Sequence, residues 1–161
     1  MNISDKAPSC IAISETWLNS GSAIGEIQLQ NYTFIHKPSS TRAGGVGLYT
    51  QNCLNYSVCH DICMPSSNCE SLCVKIKTNS SKFIYLGVIY RHPNHQFDDF
   101  EKDLNDILTN FNFNNIEYTI TGDFNIDSTP DNKIGRYHQN LESNGSEVFG
   151  LKFFESDSSK R

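Results

Sequence analysis

Phe83-Ile84-Tyr85-Leu86-Gly87-Val88-Ile89-Tyr90 is apolar almost throughout. It is too short for a membrane span and rich in residues that favour strands, so it reads as a strand with both faces covered. Downstream the period changes. Phe97, Phe100, Leu104, Ile107, Leu108 and Phe111 fall on one stripe of a helix, and Pro93 just ahead of them helps fix where that helix starts. Glu117-Tyr118-Thr119-Ile120-Thr121 then reads as another strand. A strand, a helix and a second strand in succession indicate a layered α/β domain.

Working outward, Ser9-Cys10-Ile11-Ala12-Ile13 reads as a short buried strand whose carboxyl end carries Glu15. Residues 19–43 are polar and irregular, with one strand-like patch at Tyr32-Thr33-Phe34-Ile35. Gly44-Gly45-Val46-Gly47-Leu48-Tyr49 opens a further strand. Ser71-Leu72-Cys73-Val74-Lys75-Ile76-Lys77 alternates with period two, the pattern of a half-exposed strand. Beyond Asp131 the pattern weakens: a helix is expected around Tyr137–Glu142, and residues 150–161 are expected to fray.

The 161 residues suit a single domain, or a piece of a larger one. No run reaches the ~18 apolar residues of a membrane helix, and the amino terminus has neither a basic region nor an apolar one of the kind that marks a signal peptide. An intracellular protein, nuclear or cytoplasmic, is therefore expected. The net charge of -5 is largely local: Asp98, Asp99, Glu101, Asp103 and Asp106 crowd together with only Lys102 among them, and outside that stretch 12 bases face 13 acids. A nearly neutral remainder permits a phosphate-binding face. Five of the six cysteines (Cys53, Cys59, Cys63, Cys69, Cys73, with Cys10 apart) lie within 21 residues. Their gaps never show the two-residue spacing of a zinc knuckle, which favours reduced thiols over a zinc site.

Glu15 and Asp123 sit at the carboxyl ends of two apolar strands, where a layered sheet exposes side chains to a shared crevice. Two carboxylates, an amide oxygen and waters suit Mg²⁺. Either residue alone is as well explained by a turn, with Glu15 capping and Asp123 accepting backbone amides. Gly44-Gly45-Val46-Gly47 lacks the Lys-Ser/Thr of a nucleotide loop and suits a tight turn with close packing. Arg42 and Arg91 are open between phosphate contacts and solvated side chains, His92 and His95 read as loop residues, and Trp17 reads as core.

Four segments taken together resemble one family. Ile11-Ala12-Ile13-Ser14-Glu15-Thr16-Trp17-Leu18, Gly44-Gly45-Val46-Gly47-Leu48-Tyr49, Gly87-Val88-Ile89-Tyr90-Arg91-His92-Pro93 and Thr121-Gly122-Asp123-Phe124-Asn125-Ile126-Asp127 occur in that order. They are similar to the exonuclease–endonuclease–phosphatase superfamily, and within it to the apurinic-type endonuclease domain of LINE-like (non-LTR) retrotransposons. The resemblance implies a four-layered α/β sandwich with its active site where the edges of two sheets meet. It implies Mg²⁺- or Mn²⁺-dependent hydrolysis of a DNA phosphodiester, nicking a target before reverse transcription. By the same resemblance Glu15 is a metal ligand, Asp123 and Asn125 position the attacking water, the metal and a phosphate oxygen, and Tyr90 contacts the phosphate. DNA is the implied partner, with a reverse transcriptase domain in the intact element and no obligate oligomer.

The sequence also departs from the family. Only about eight residues precede the Cys10–Ile13 strand, where the family has an inner strand bearing an Asn, and no Asp-His dipeptide is present to act as the closing base. The chain is thus expected to be a single truncated domain spanning 1–161, its motifs within 9–127. An inactive remnant, or a phosphatase of the same superfamily, are the alternative readings.

Overall fold

A computed structural model describes residues 7–39, 43–60, 62, 64 and 69–125. Seven strands and one long helix form two sheets and a covering layer. The first sheet joins β1 (Cys10–Ser14), β3 (Val46–Gln51) and β2 (Tyr32–Lys37) in the order β1-β3-β2, antiparallel throughout. The second holds β4 (Asn55–Val58), β5 (Cys69–Lys77), β6 (Phe83–Arg91) and β7 (Glu117–Asp123) in sequence order. β6 and β7 run parallel, which requires a crossover, and α1 (Phe97–Phe113) is that crossover.

The helix forms where its apolar stripe places it. Phe100, Leu104, Leu108 and Phe111 are buried, against Cys69, Ile89, Ile120 and Phe124 on one face of the second sheet. Each large side chain so buried stabilises the fold by roughly 1.5–3 kcal/mol. Asp98 and Asp99 lie in the first turn, where carboxylates favour the helix dipole. At the other end Asn115 adopts φ 51° and the Ile116 amide bonds Phe111 O at 2.9 Å, a left-handed close of the helix.

The opposite face of the second sheet packs on the first. Val46 and Leu48 meet Leu72, Val74, Val88 and Tyr90. The fold is therefore the α/β sandwich expected, with helix, sheet and sheet stacked in the described residues. On the outer face of the first sheet, Phe34 and Tyr49 pack with ring centroids 4.4 Å apart, and Tyr49 Oη donates to Ile27 O in a short 3-10 turn at Ile24–Ile27.

Two expectations need correction. No residue of β1 is fully buried. β5 is half-exposed only from Lys75 on: Cys69 to Val74 are buried, because α1 covers one of its faces and the first sheet the other. Ser71 is tolerated there because its hydroxyl accepts the Met64 amide at 2.7 Å. β4 gave no sequence signal, being four residues long with every other one exposed. The five described cysteines are thiols, with Cys69 and Cys73 buried. The helix expected around Tyr137–Glu142 and the 150–161 end lie outside the described residues. No described helix is long and apolar enough to cross a membrane.

Candidate active site

Strand register assembles the site. Glu70 on β5 pairs with Tyr90 on β6, and Tyr90 pairs with Asp123 on β7. Side chains of paired residues share a face, so these three lie in a row on the face turned toward the first sheet, at one end of the strands. Glu15 arrives from that sheet, one residue past β1. The Tyr90 hydroxyl donates to Glu15 Oε1 at 3.0 Å, which ties the two sheets together at the crevice.

Burial and the neighbouring Glu15 push the Tyr90 phenol up to about 12, with Asp123 adding to the rise and a hydrogen bond with Asn125 opposing it. The Tyr90–Glu15 bond, the pairing of Tyr90 with Asp123 and the bond from the Asn125 amide to Asp123 Oδ1 gather Glu15, Asp123 and Asn125 about this tyrosine. The structure thus brings Glu15, Tyr90, Asp123 and Asn125 to one rim.

The loop after β7 is held by Arg91. Its Nε donates to Phe124 O at 2.6 Å, one Nη to Asn125 O at 2.5 Å, and the other to His95 O at 2.8 Å and His92 O at 3.4 Å. Asn125 returns a bond, its Nδ2 donating to Arg91 O at 2.6 Å. Asp123 Oδ1 accepts the Asn125 amide at 2.9 Å. Arg91 is 5% exposed; burial lowers it from its ordinary range while the Asp123 charge opposes the fall. It is not a solvated side chain, because four of its five N–H donors go to backbone carbonyls.

Gly122 explains why the Gly-Asp turn can lie so close to β6. Its φ is 142°, and a Cβ there would overlap the Ile89 carbonyl. Glycine alone fits that position.

One further expectation is overturned. Trp17, expected in the core, is 67% exposed, with φ 56°. His92 lies in the loop after β6, as expected, but it is buried there, edge-on to Tyr90 at 5.0 Å and 3.6 Å from Glu70 Oε1. Glu70 itself was missed, because the expected strand began one residue later, at Ser71. Its signal was there to find: extending the alternation back by one residue puts a carboxylate on the core face with Leu72 and Val74. Arg42 lies outside the described residues.

The donor set fits a hard divalent cation. Glu15, Asp123 and Asn125 offer oxygens, and Glu15 keeps Oε2 and Asp123 keeps Oδ2 beyond the bonds just described. Among the described residues no group of three or more His, Cys, Asp or Glu is close enough to hold a metal. A carboxylate pair completed by waters and a substrate phosphate is the arrangement Mg²⁺ accepts.

No protein-family model matches the chain, and no curated protein does. Among solved structures it is similar to the human Nocturnin catalytic domain with bound sulfate anion, with TM-score 0.58 and 17% identity over 88% of this chain and 57% of that one. The chain has the exonuclease–endonuclease–phosphatase fold. It spans rather more than half the length of that neighbour.

Proposed function

We propose that the chain carries the phosphate-facing part of a Mg²⁺- or Mn²⁺-dependent phosphodiester hydrolase, a DNA endonuclease domain of the LINE-like retrotransposon kind. The observation that supports it most is the bond from Tyr90 to Glu15, which joins two sheets beside Asp123 and Asn125. A bound divalent cation would supply Lewis acidity and charge neutralisation at the scissile phosphate. Glu15 and Asp123 would hold it, with Asn125 beside them.

The chain's own groups do the rest. Tyr90, pushed up to about 12, stays a neutral donor at physiological pH, so its hydroxyl can pass from Glu15 to a phosphate oxygen. Asp123, fixed at Oδ1 by the Asn125 amide, presents Oδ2 to orient the attacking water. Trp17 stands exposed two residues from Glu15, which favours a substrate with bases to stack on over a small phosphate ester. DNA is the partner on this reading, and a reverse transcriptase reading frame beside the gene would accord with it.

A second reading has one observation in its favour. These 161 residues hold no Asp-His dipeptide, so on their own they are expected to bind without cutting. Loss of a general base typically costs ~10²–10⁴-fold in rate.

Two assays on the 161-residue chain separate these. DNA binding should require Mg²⁺ or Mn²⁺, and Glu15→Ala and Asp123→Ala should each remove that requirement's benefit. Plasmid nicking should stand at background if the remnant reading holds. Nicking that Asp123→Ala stops would refute the remnant reading and make His92 the first base to test. Binding indifferent to metal and to both substitutions, or hydrolysis of an inositol phosphate in preference to DNA, would refute the endonuclease reading.

A further inference from the structure

Glu70 is a buried carboxylate that the preceding reading does not use. It is 4% exposed, and burying a charged group is costly unless partners satisfy it. Ser39 Oγ donates to Oε1 at 2.8 Å, the Gly45 amide donates to Oε2, and His92 Nε2 lies 3.6 Å from Oε1. Both oxygens are thus engaged from within the fold. Glu70 therefore serves as an anchor, with neither oxygen turned out toward a cation.

What it anchors is the Gly44-Gly45 turn. Gly44 has φ 127°, and a Cβ there would come within 2.6 Å of Glu70 Oε2 and 3.1 Å of His92 Cε1. Gly45 has φ 86°, and a Cβ there would collide with Thr16 Oγ1. The turn packs directly on the carboxylate because neither residue carries a side chain. Its two carbonyls then face the loop after β1: Gly45 O accepts the Thr16 amide at 3.1 Å and Gly44 O the Trp17 amide at 2.8 Å. Those are the two amides that follow Glu15. Ser39 closes the circuit, its amide donating to Leu18 O at 3.1 Å while its hydroxyl holds Glu70.

The loop needs such support. Glu15 has φ 54° and Trp17 φ 56°, left-handed conformations that non-glycine residues keep only where their surroundings impose them. The geometry points to Glu70 as the positioning residue for Glu15, acting through the Gly44-Gly45 turn as a clasp on the 15–18 loop. This rests on the reading of Glu15 as a cation ligand.

The sequence contains a single tryptophan, and it lies within the clasped loop, so Trp17 fluorescence anisotropy reads the loop whether or not a metal binds. Glu70→Gln keeps the shape of the side chain but replaces one acceptor with a donor facing other donors. With circular dichroism showing it folded, it should lower Trp17 anisotropy and weaken Mn²⁺ binding about tenfold, measured by calorimetry. Gly45→Ala should do the same from the other end of the clasp with Glu70 intact, and it decides the matter if Glu70→Gln does not fold. Glu15→Gln should abolish Mn²⁺ binding and leave the anisotropy at the wild-type value. Wild-type anisotropy in folded Glu70→Gln would overturn the clasp. Failure of the wild-type chain to bind Mn²⁺ would instead overturn the cation reading of Glu15, and the anisotropy would then decide the clasp alone.

Discussion

The two banks of the crevice are held by opposite means. On the first-sheet bank, Glu15 stands on a loop of left-handed residues, tied by backbone bonds to a glycine turn that a buried carboxylate grips. On the second-sheet bank, Asp123 ends a strand paired along its length to β6, and the loop beyond it is gripped by a buried guanidinium that takes four carbonyls. An anion takes an amide and a hydroxyl on one side, and a cation takes carbonyl acceptors on the other. Tyr90 touches both banks. The second bank belongs to a continuous sheet backed by α1, so damage there should reach the fold; damage to the first should stay local.

Gly122→Ala attacks the second bank most directly. Its Cβ would overlap the Ile89 carbonyl, so β7 must part from β6. A destabilisation of at least about 3 kcal/mol is expected in urea denaturation, a large share of a typical ~5–15 kcal/mol. A change under about 1 kcal/mol would show that the turn relaxes freely. Arg91→Ala comes next, leaving the carbonyls of Phe124 and Asn125 without their donor, and should cost about 2–4 kcal/mol. Arg91→Lys should not rescue it, since one ammonium cannot span both sides of the clamp.

How far these features are readable without coordinates differs by bank. Phe100, Leu104 and Phe111 announce α1 by spacing, and the apolar run of β6 announces a covered strand, because periodicity reflects burial directly. Glu15, Tyr90, Asp123 and Asn125 stood out through their motifs. What stayed hidden depends on register and on backbone contacts. Glu70 is a neighbour of Tyr90 only through β5–β6 pairing, and Arg91 is a clamp only because the chain returns at Phe124 and Asn125. Trp17 looked like core by residue type, yet the left-handed backbone at its own position accompanies an exposed indole. A hydrophobicity pattern has no means of registering φ.

Tyr90 bridges the banks, and its titration gives a smaller, pH-dependent effect. The phenol rises from 10.0 to about 12 in the folded chain, so the folded state retains a proton that the unfolded state releases. The resulting stabilisation is present below pH 10 and is lost as pH rises through about 12. Wild type should lose stability across that window in alkaline denaturation, and Tyr90→Phe should lose less. An equal loss would place the cause elsewhere.

Trp17→Ala should have the least effect on stability, within about 0.5 kcal/mol for so exposed a residue. Metal-dependent DNA binding should weaken all the same, as read by fluorescence polarisation of a labelled oligonucleotide. Unchanged DNA affinity would remove the indole from the substrate surface.

The central claim is that the two banks act on one cation. Calorimetric titration of Mn²⁺ into the wild-type chain, Glu15→Ala, Asp123→Ala and the double variant tests it directly. If the carboxylates share one ion, each single substitution removes most of the binding and the double variant is little worse than either, a strongly non-additive cycle. Two separable sites, each lost with only its own carboxylate, would contradict the account.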